Sequence, residues 1–389
     1  MELAFLTPVA QRPGPWASVF FDTSRVSQSA LKEQELAARE AAGELAAQGA
    51  DEATCRTLRE ALAELPRSGA PGRALFATGG DVVLDLPLGE PPQSGLPTVS
   101  WSPVPRLLPL LEHRSENPRC LVAAIDRRGA DFELHDDYGH EDAGHREGRQ
   151  WPMHRTKSGA DWSVGHFEFA VEDTWEHNAG VIADALAEAW EETGAQLLVL
   201  AGDVRERRAV HDRLAPPLKS AAVETEFGGR AAGARRERLD EAVDEAREHY
   251  TRRRAAELTD RFRSRRAQVP GDVAHDAAEG VPALVEAARE HRIDSLVIRP
   301  DGPDVHREVY VGREPDQIAV RHTDIPYLGD TEPVAVRADD ALLRAAAATG
   351  AEALLLRRPE DVGDDLPAGG LGALLRWPGA PGERLEESL

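Results

Sequence analysis

The chain has 389 residues, is 41% hydrophobic but only 5% aromatic, and carries a formal net charge of −23. This length exceeds one ordinary core and predicts two or three domains with interiors built from Leu, Val and Ala rather than rings. The acidic balance excludes non-specific adhesion to nucleic acid or an anionic membrane, so an RNA contact would need basic residues gathered in one place. Those residues are almost all Arg, since Lys32, Lys157 and Lys219 are the only lysines.

Cys55 and Cys120 fall in different segments and share no motif spacing, which argues against a disulfide framework or a cysteine zinc site. They read as small core residues of a reduced protein. The opening MELAFLTPVAQRPGP has neither the basic start nor the full apolar stretch of a signal peptide. No apolar run approaches the ~20 residues that span a bilayer. A cytoplasmic location and no membrane partner are therefore expected.

The pattern predicts an α/β (α+β) protein in three blocks. The first, residues 1–115, is a small α/β domain. It has a strand from Ala17 to Asp22, helices from Leu31 to Ala47 and from Glu52 to Leu65, then strands from Arg73 to Thr78 and Asp81 to Leu86. Gly79-Gly80 between the last two is a hairpin signal. The Pro-rich stretch from Gly89 to Pro109 reads as an extended connection.

The second block, residues 116–269, opens with CLVAAID (Cys120 to Asp126), the turn Arg127-Arg128-Gly129 and a second strand, DFELHD. After a polar stretch, Val181, Ile182, Ala185, Leu186, Ala189 and Trp190 mark an amphipathic helix from Gly180 to Thr193. Gln196 to Ala201 reads as a buried strand, followed by a helical run ending at Pro216-Pro217. A long helix is expected from Gly233 to Arg266, ~50 Å at ~1.5 Å per residue. Leu239, Val243, Ala246, Tyr250, Leu258 and Phe262 stripe one face of it.

The third block, residues 270–389, starts at the breaker Pro270-Gly271. It alternates helix (Val281 to His291), strand (Ser295 to Arg299), the extended VHREVYVG, helix (Asp339 to Thr349) and strand (Ala353 to Arg357). That alternation predicts a small α/β/α sandwich. The tail from Pro378 to Leu389 is expected to fray.

Phosphate-loop, HExxH, GxSxG and GxGxxG signatures are absent, so no nucleotide cofactor is supported. His135, Asp136, Asp137, His140, Glu141, Asp142 and His145 have metal-ligand chemistry. They lie in HDDYGHEDAGHREGRQ, which offers almost no apolar residue to fix such ligands. A solvated loop without metal is expected there. A second feature is Gly228-Gly229-Arg230, placed just before the long helix. From Gly228 to Arg266 the sequence holds twelve Arg against eight Asp or Glu, a local charge of +4 on a chain of −23. A basic, glycine-tipped helix on an acidic background suits a targeted RNA contact, while charge pairs along a surface helix would give the same composition.

This segment resembles the middle domain of the archaeo-eukaryotic class-1 release factors, where a Gly-Gly-Gln loop caps a long Ala/Arg-rich helix. CLVAAID with RRG is similar to the opening strand and turn of that family's RNase H-like middle domain. QLLVLAG with VRERRAVHDRL is similar to its next strand and helix. VPALVEAAREHRIDSLVIR resembles the opening of its third domain, which shares the fold of kink-turn-binding ribosomal proteins. The resemblance extends over residues 116–389 and is weak over 1–115.

Arg230 stands where release factors have Gln. A guanidinium donates but cannot accept, so it cannot take a proton from an attacking water as an amide oxygen can. It suits phosphate contact instead. The first block also lacks the Asn-Ile-Lys-Ser and Tyr-x-Cys patterns used on stop codons. Family members with such departures are similar to Pelota-type rescue factors and Balon-type hibernation factors. The resemblance therefore implies a factor in the ribosomal A site during hibernation, stress response or rescue, without stop-codon decoding or assigned catalytic residues. It implies rRNA, tRNA and a translational GTPase such as elongation factor Tu as partners. Gly228, Gly229, Arg230, Arg235, Arg236 and Arg238 are the expected RNA contacts, with Gly228 to Arg230 at an exposed tip. Two other readings stay open: a peptidyl-tRNA hydrolase or release factor acting through this loop, and an RNA-binding or scaffold protein that does not act on ribosomes.

Overall fold

The structure is a computed structural model that describes residues 1–24, 30–64, 70–92, 98–114, 118–136, 139–148, 163–230, 236–266, 276–330, 332–356 and 367–377. The chain divides into two compact units, Met1–Ser115 with Ala255–Leu389, and Glu116–Arg254.

The composite unit begins with a 3-10 turn (Ala4–Leu6), α1 (Thr7–Ala10), β1 (Trp16–Asp22), α2 (Ala30–Ala47) and α3 (Glu52–Ala63). β2 (Gly72–Thr78), β3 (Asp81–Leu88), β4 (Thr98–Ser102) and α4 (Leu108–His113) follow. The sheet order is β3-β2-β1-β4, and each neighbouring pair is antiparallel. Gly79 and Gly80 both have positive φ (58° and 86°), the conformation a two-residue hairpin turn requires and only Gly adopts freely. Asp51 caps α3, its carboxylate accepting from the Thr54 amide at 2.9 Å.

Strand β1 is buried along nearly its whole length because both faces of its sheet are covered. Ala17, Val19 and Phe21 pack with Leu45, Leu58 and Leu62 of α2 and α3. Trp16 and Phe20 on the opposite face join the core that contains the third block's helices. The stretch from Gly89 to Pro109 is not simply an extended connection. Thr98–Ser102 pairs with β1 as the edge strand β4, and Leu108–His113 is helical. Its prolines mislead because they flank the strand, at 97 and 103, where an edge tolerates them.

The smaller unit contains β5 (Cys120–Ile125), β6 (Gly129–Asp136), β7 (Gly139–Glu147), α5 (Ser163–Thr193), β8 (Leu197–Gly202), α6 (Val204–His211), α7 (Pro216–Ala221) and β9 (Ala222–Thr225). The N-terminal part of α8 (Arg236–Arg266) completes it. Its sheet runs β7-β6-β5-β8-β9, three antiparallel strands continued by two parallel ones, the order of an RNase H-like fold. One face packs on α5 through Leu121, Phe132, Leu134, Ile182 and Leu186. The other receives α8 through Cys120, Val122, Leu197 and Val199 against Leu239, Val243 and Ala246. Pro216 and Pro217 start α7 rather than end α6, since proline is tolerated in a first helical turn.

The HDDYGHEDAGHREGRQ segment is not the expected loop. Asp136 ends β6 and His140 to His145 lie in β7, paired in register with it; Asp137 falls outside the described residues. β7 is an edge strand exposed over most of its length, so it needs no apolar alternation, and its charges disfavour pairing with another chain.

The composite unit closes with β10 (Ala277–Glu279), α9 (Val281–Arg289), β11 (Ile293–Ile298), β12 (Glu308–Val311), β13 (Ile318–Ala319), β14 (Val334–Arg337), α10 (Ala338–Ala348), β15 (Glu352–Leu355) and β16 (Leu371–Leu375). The sheet β10-β16-β11-β15 has α9 and α10 on one face. On the other, Leu258 and Phe262 of α8 pack against Val297, Leu354 and Leu374. These layers make the α/β/α sandwich, with a small sheet β13-β12-β14 beside it. Pro270, Gly271 and the tail from Pro378 lie outside the described residues.

The first and third blocks share one core. Leu3, Leu6 and Val9 are buried with Leu342, Leu343 and Ala346 of α10. The Leu3 amide donates to the Ala351 carbonyl at 3.1 Å, and Arg106 pairs with the buried carboxylate of Asp340 at 2.8 Å. Arg344, almost fully buried, donates to the carbonyls of Ala10, Gly312 and Arg313. Among the described residues no helix is long and apolar enough to cross a membrane.

Candidate nucleic-acid interface

Alternation along β6 sets the geometry. Phe132 and Leu134 point into the α5 core, so Asp131, Glu133 and His135 share the opposite face, at period two. The apolar stripe of α8 lies over this side of the sheet and brings the helix's first turn above β6.

Gly228 and Gly229 carry the chain from β9 towards α8. Gly228 has φ +88°, and a Cβ there would stand 2.9 Å from a Leu239 methyl, so both conformation and close approach require glycine. Gly229 has φ +153° and nothing near its missing Cβ.

Arg230 is not presented at an exposed tip. Its side chain is only 15% exposed and meets three carboxylates: Asp126 at 3.2 Å, Asp131 at 3.1 Å, and Glu147. Burial opposes its charge, but pairing with Asp131, Glu147 and Asp126 outweighs burial and holds the guanidinium firmly protonated. Asp126 also accepts from the amides of Arg128 and Gly129, which fixes the β5–β6 turn.

Arg236 makes a two-pronged pair with Glu133, at 2.8 and 2.7 Å, and approaches Asp240 at 3.4 Å. Burial works against the charge on Glu133, yet Arg236 and His135 hold its carboxyl below the usual range. Arg238 is exposed and lies over the Phe227 ring at 5.3 Å. Arg235 lies outside the described residues. Of the six expected RNA-binding residues, Gly228, Gly229, Arg230, Arg236 and Arg238 are thus grouped at one place, with two arginines already engaged by carboxylates.

Asp126, Asp131, Glu133 and Glu147 were not among the residues expected from sequence. The signal for two of them was the alternation D-F-E-L-H-D, which sets acids and apolar side chains on opposite faces of a strand.

His135 is 7% exposed. Its Nε2 is 3.4 Å from Glu133 and its ring 5.6 Å from that of His140. Burial, then the charge of Arg247, lower its pKa, against a smaller upward pull from Glu133. Below about pH 6.5 the unfolded chain takes up a proton that folded His135 resists, so stability falls as pH drops through that range. Urea unfolding of the smaller unit is expected to show lower stability at pH 5.5 than at pH 7.5. His135→Gln is expected to flatten that difference. An equal loss in the variant would remove His135 as its cause.

Residues 119–268 match bacterial archaeo-eukaryotic release factor family 2. The Mycobacterium tuberculosis (strain ATCC 25618 / H37Rv) protein named "Uncharacterized protein Rv2629" is 30% identical over 369 residues, 94% of each chain. The same values hold for "Uncharacterized protein MT2704" of strain CDC 1551 / Oshkosh. This chain belongs to the bacterial archaeo-eukaryotic release-factor family. The family match spans the sheet of the smaller unit, Gly228 to Arg230 and the whole of α8. Among solved structures, Archaeoglobus fulgidus Pelota is 15% identical with a TM-score of 0.34, over 96% of this chain and 92% of that one. Dom34 of S. cerevisiae is 11% identical with a TM-score of 0.42, over 80% and 74%.

Proposed function

We propose that this protein is a cytoplasmic, ribosome-associated factor that occupies the A site in hibernation, stress response or rescue, without decoding stop codons. The observation that carries the reading is the Gly-Gly-Arg turn feeding the first turn of α8. There Arg230, Arg236 and Arg238 gather on a chain of net charge −23. Membership of a release-factor family supports translation as the setting, and the matched segment contains this turn. The physical contact is electrostatic: guanidinium groups exchange carboxylate partners for rRNA or tRNA phosphates, while the two glycines let the backbone approach crowded RNA. Arg235 belongs to the same proposed RNA-binding set. A translational GTPase such as elongation factor Tu is the proposed delivery partner, and no cofactor is invoked.

Cosedimentation with purified bacterial 70S ribosomes tests this reading. The protein is expected to pellet with ribosomes at about 0.1 M salt and to dissociate as salt rises, since phosphate contacts give log-linear salt dependence. Failure to pellet at any salt would favour an RNA-binding or scaffold role away from ribosomes.

A further inference from the structure

The arginine best placed by sequence to meet RNA is held by the protein's own acids. Asp126 at the end of β5, Asp131 on β6 and Glu147 at the end of β7 converge on one guanidinium from three strands. Glu133, two residues along β6 from Asp131, takes Arg236 in the same way. These acids supply what a phosphate would: anionic oxygens that accept from the guanidinium's donors. Gly229, with no atom near its missing Cβ, places no side chain in the way of the turn.

We propose that the carboxylates of Asp126, Asp131 and Glu147 are an intramolecular latch that keeps the Gly-Gly-Arg turn closed, and that RNA phosphates open it by competing for Arg230. The proposal rests on the RNA reading above for its ligand, but not for the closed state itself. A latch of this kind raises specificity, because a weak or sparse polyanion cannot displace three carboxylates acting together. Dense rRNA or tRNA phosphate can, since it brings several charges to Arg230, Arg236 and Arg238 at once. Glu147 and Asp131 are the members to remove, because Asp126 also holds the β5–β6 turn through the amides of Arg128 and Gly129.

Trypsin reads the latch directly, since cleavage after Arg230 requires that guanidinium to leave its partners and enter the protease. In the full chain, D131N/E147Q is expected to be cut after Arg230 about tenfold faster than wild type, with other early sites unchanged. The control D184N/E191Q removes the same charge from exposed positions of α5 and is expected to leave this rate alone. In parallel, D131N/E147Q is expected to bind purified 70S ribosomes several-fold more tightly than the control, with the gain lost in D131N/E147Q/R230A. An unchanged cleavage rate at Arg230, or an equal acceleration in the control, overturns the latch. Faster cleavage with no Arg230-dependent gain on ribosomes leaves the latch standing and overturns the assignment of this turn to RNA.

Discussion

Reversing three charges, R235E/R236E/R238E, is expected to weaken ribosome binding by about two orders of magnitude at about 0.1 M salt. The log–log salt slope is expected to flatten by about one for each phosphate that the variant no longer neutralises. Two contributions add. Each reversal removes a cation from the proposed RNA face and supplies an anion that repels phosphate. At position 236 the new carboxylate would also face Glu133 and Asp240, which now hold the guanidinium at 2.7 and 3.4 Å. That second effect is a folding effect, so the single variant R238E is the cleaner arm. Arg238 is exposed and lies over the Phe227 ring at 5.3 Å, with no carboxylate partner among the described residues. R238E is expected to keep the wild-type thermal midpoint and to flatten the slope by about one. Wild-type affinity and slope in a folded triple variant would move the RNA-binding surface elsewhere.

Ribosomes carrying peptidyl-tRNA in the P site are expected to keep their peptide when this protein is added. The chemistry of ester hydrolysis needs a group that orients water and accepts from it, and the guanidinium of Arg230 has five donors and no acceptor. Once the latch is open, Arg230 has left Asp126, Asp131 and Glu147, which stay on the strands of the sheet and do not accompany it as the missing base. Losing a water-orienting group commonly costs about 10²-fold. Release is therefore expected at the rate of the factor-free control. Robust release by the wild type, abolished by Arg230→Ala, would make the protein a hydrolase.

Much of this fold could be read from pattern. The apolar stripe of α8 was legible because Leu239, Val243, Ala246, Leu258 and Phe262 repeat at helical spacing, and all five are buried. The Gly79-Gly80 hairpin was legible because a two-residue turn demands positive φ. β7 escaped because an edge strand exposed over most of its length shows no alternation, and β4 escaped because flanking prolines mask it. The sharing of one core by the first and third blocks depends on pairs such as Arg106 with Asp340 and Arg344 with the Ala10 carbonyl. These lie hundreds of residues apart, and no local pattern encodes them. At the site, sequence pointed to the arginines but not to their partners. A count of charges along one segment cannot tell a solvated cation from one whose counter-ions arrive from other strands.

Binding to ribosomes with the A site vacant or filled decides whether this protein occupies that site. The protein is mixed with purified 70S ribosomes carrying P-site tRNA, with or without a second tRNA in the A site, and the bound fraction is measured after pelleting at about 0.1 M salt. Occupation of the A site predicts saturable binding to vacant ribosomes near one per ribosome, and loss of most of it when the A site is filled. Equal binding to both preparations would contradict it.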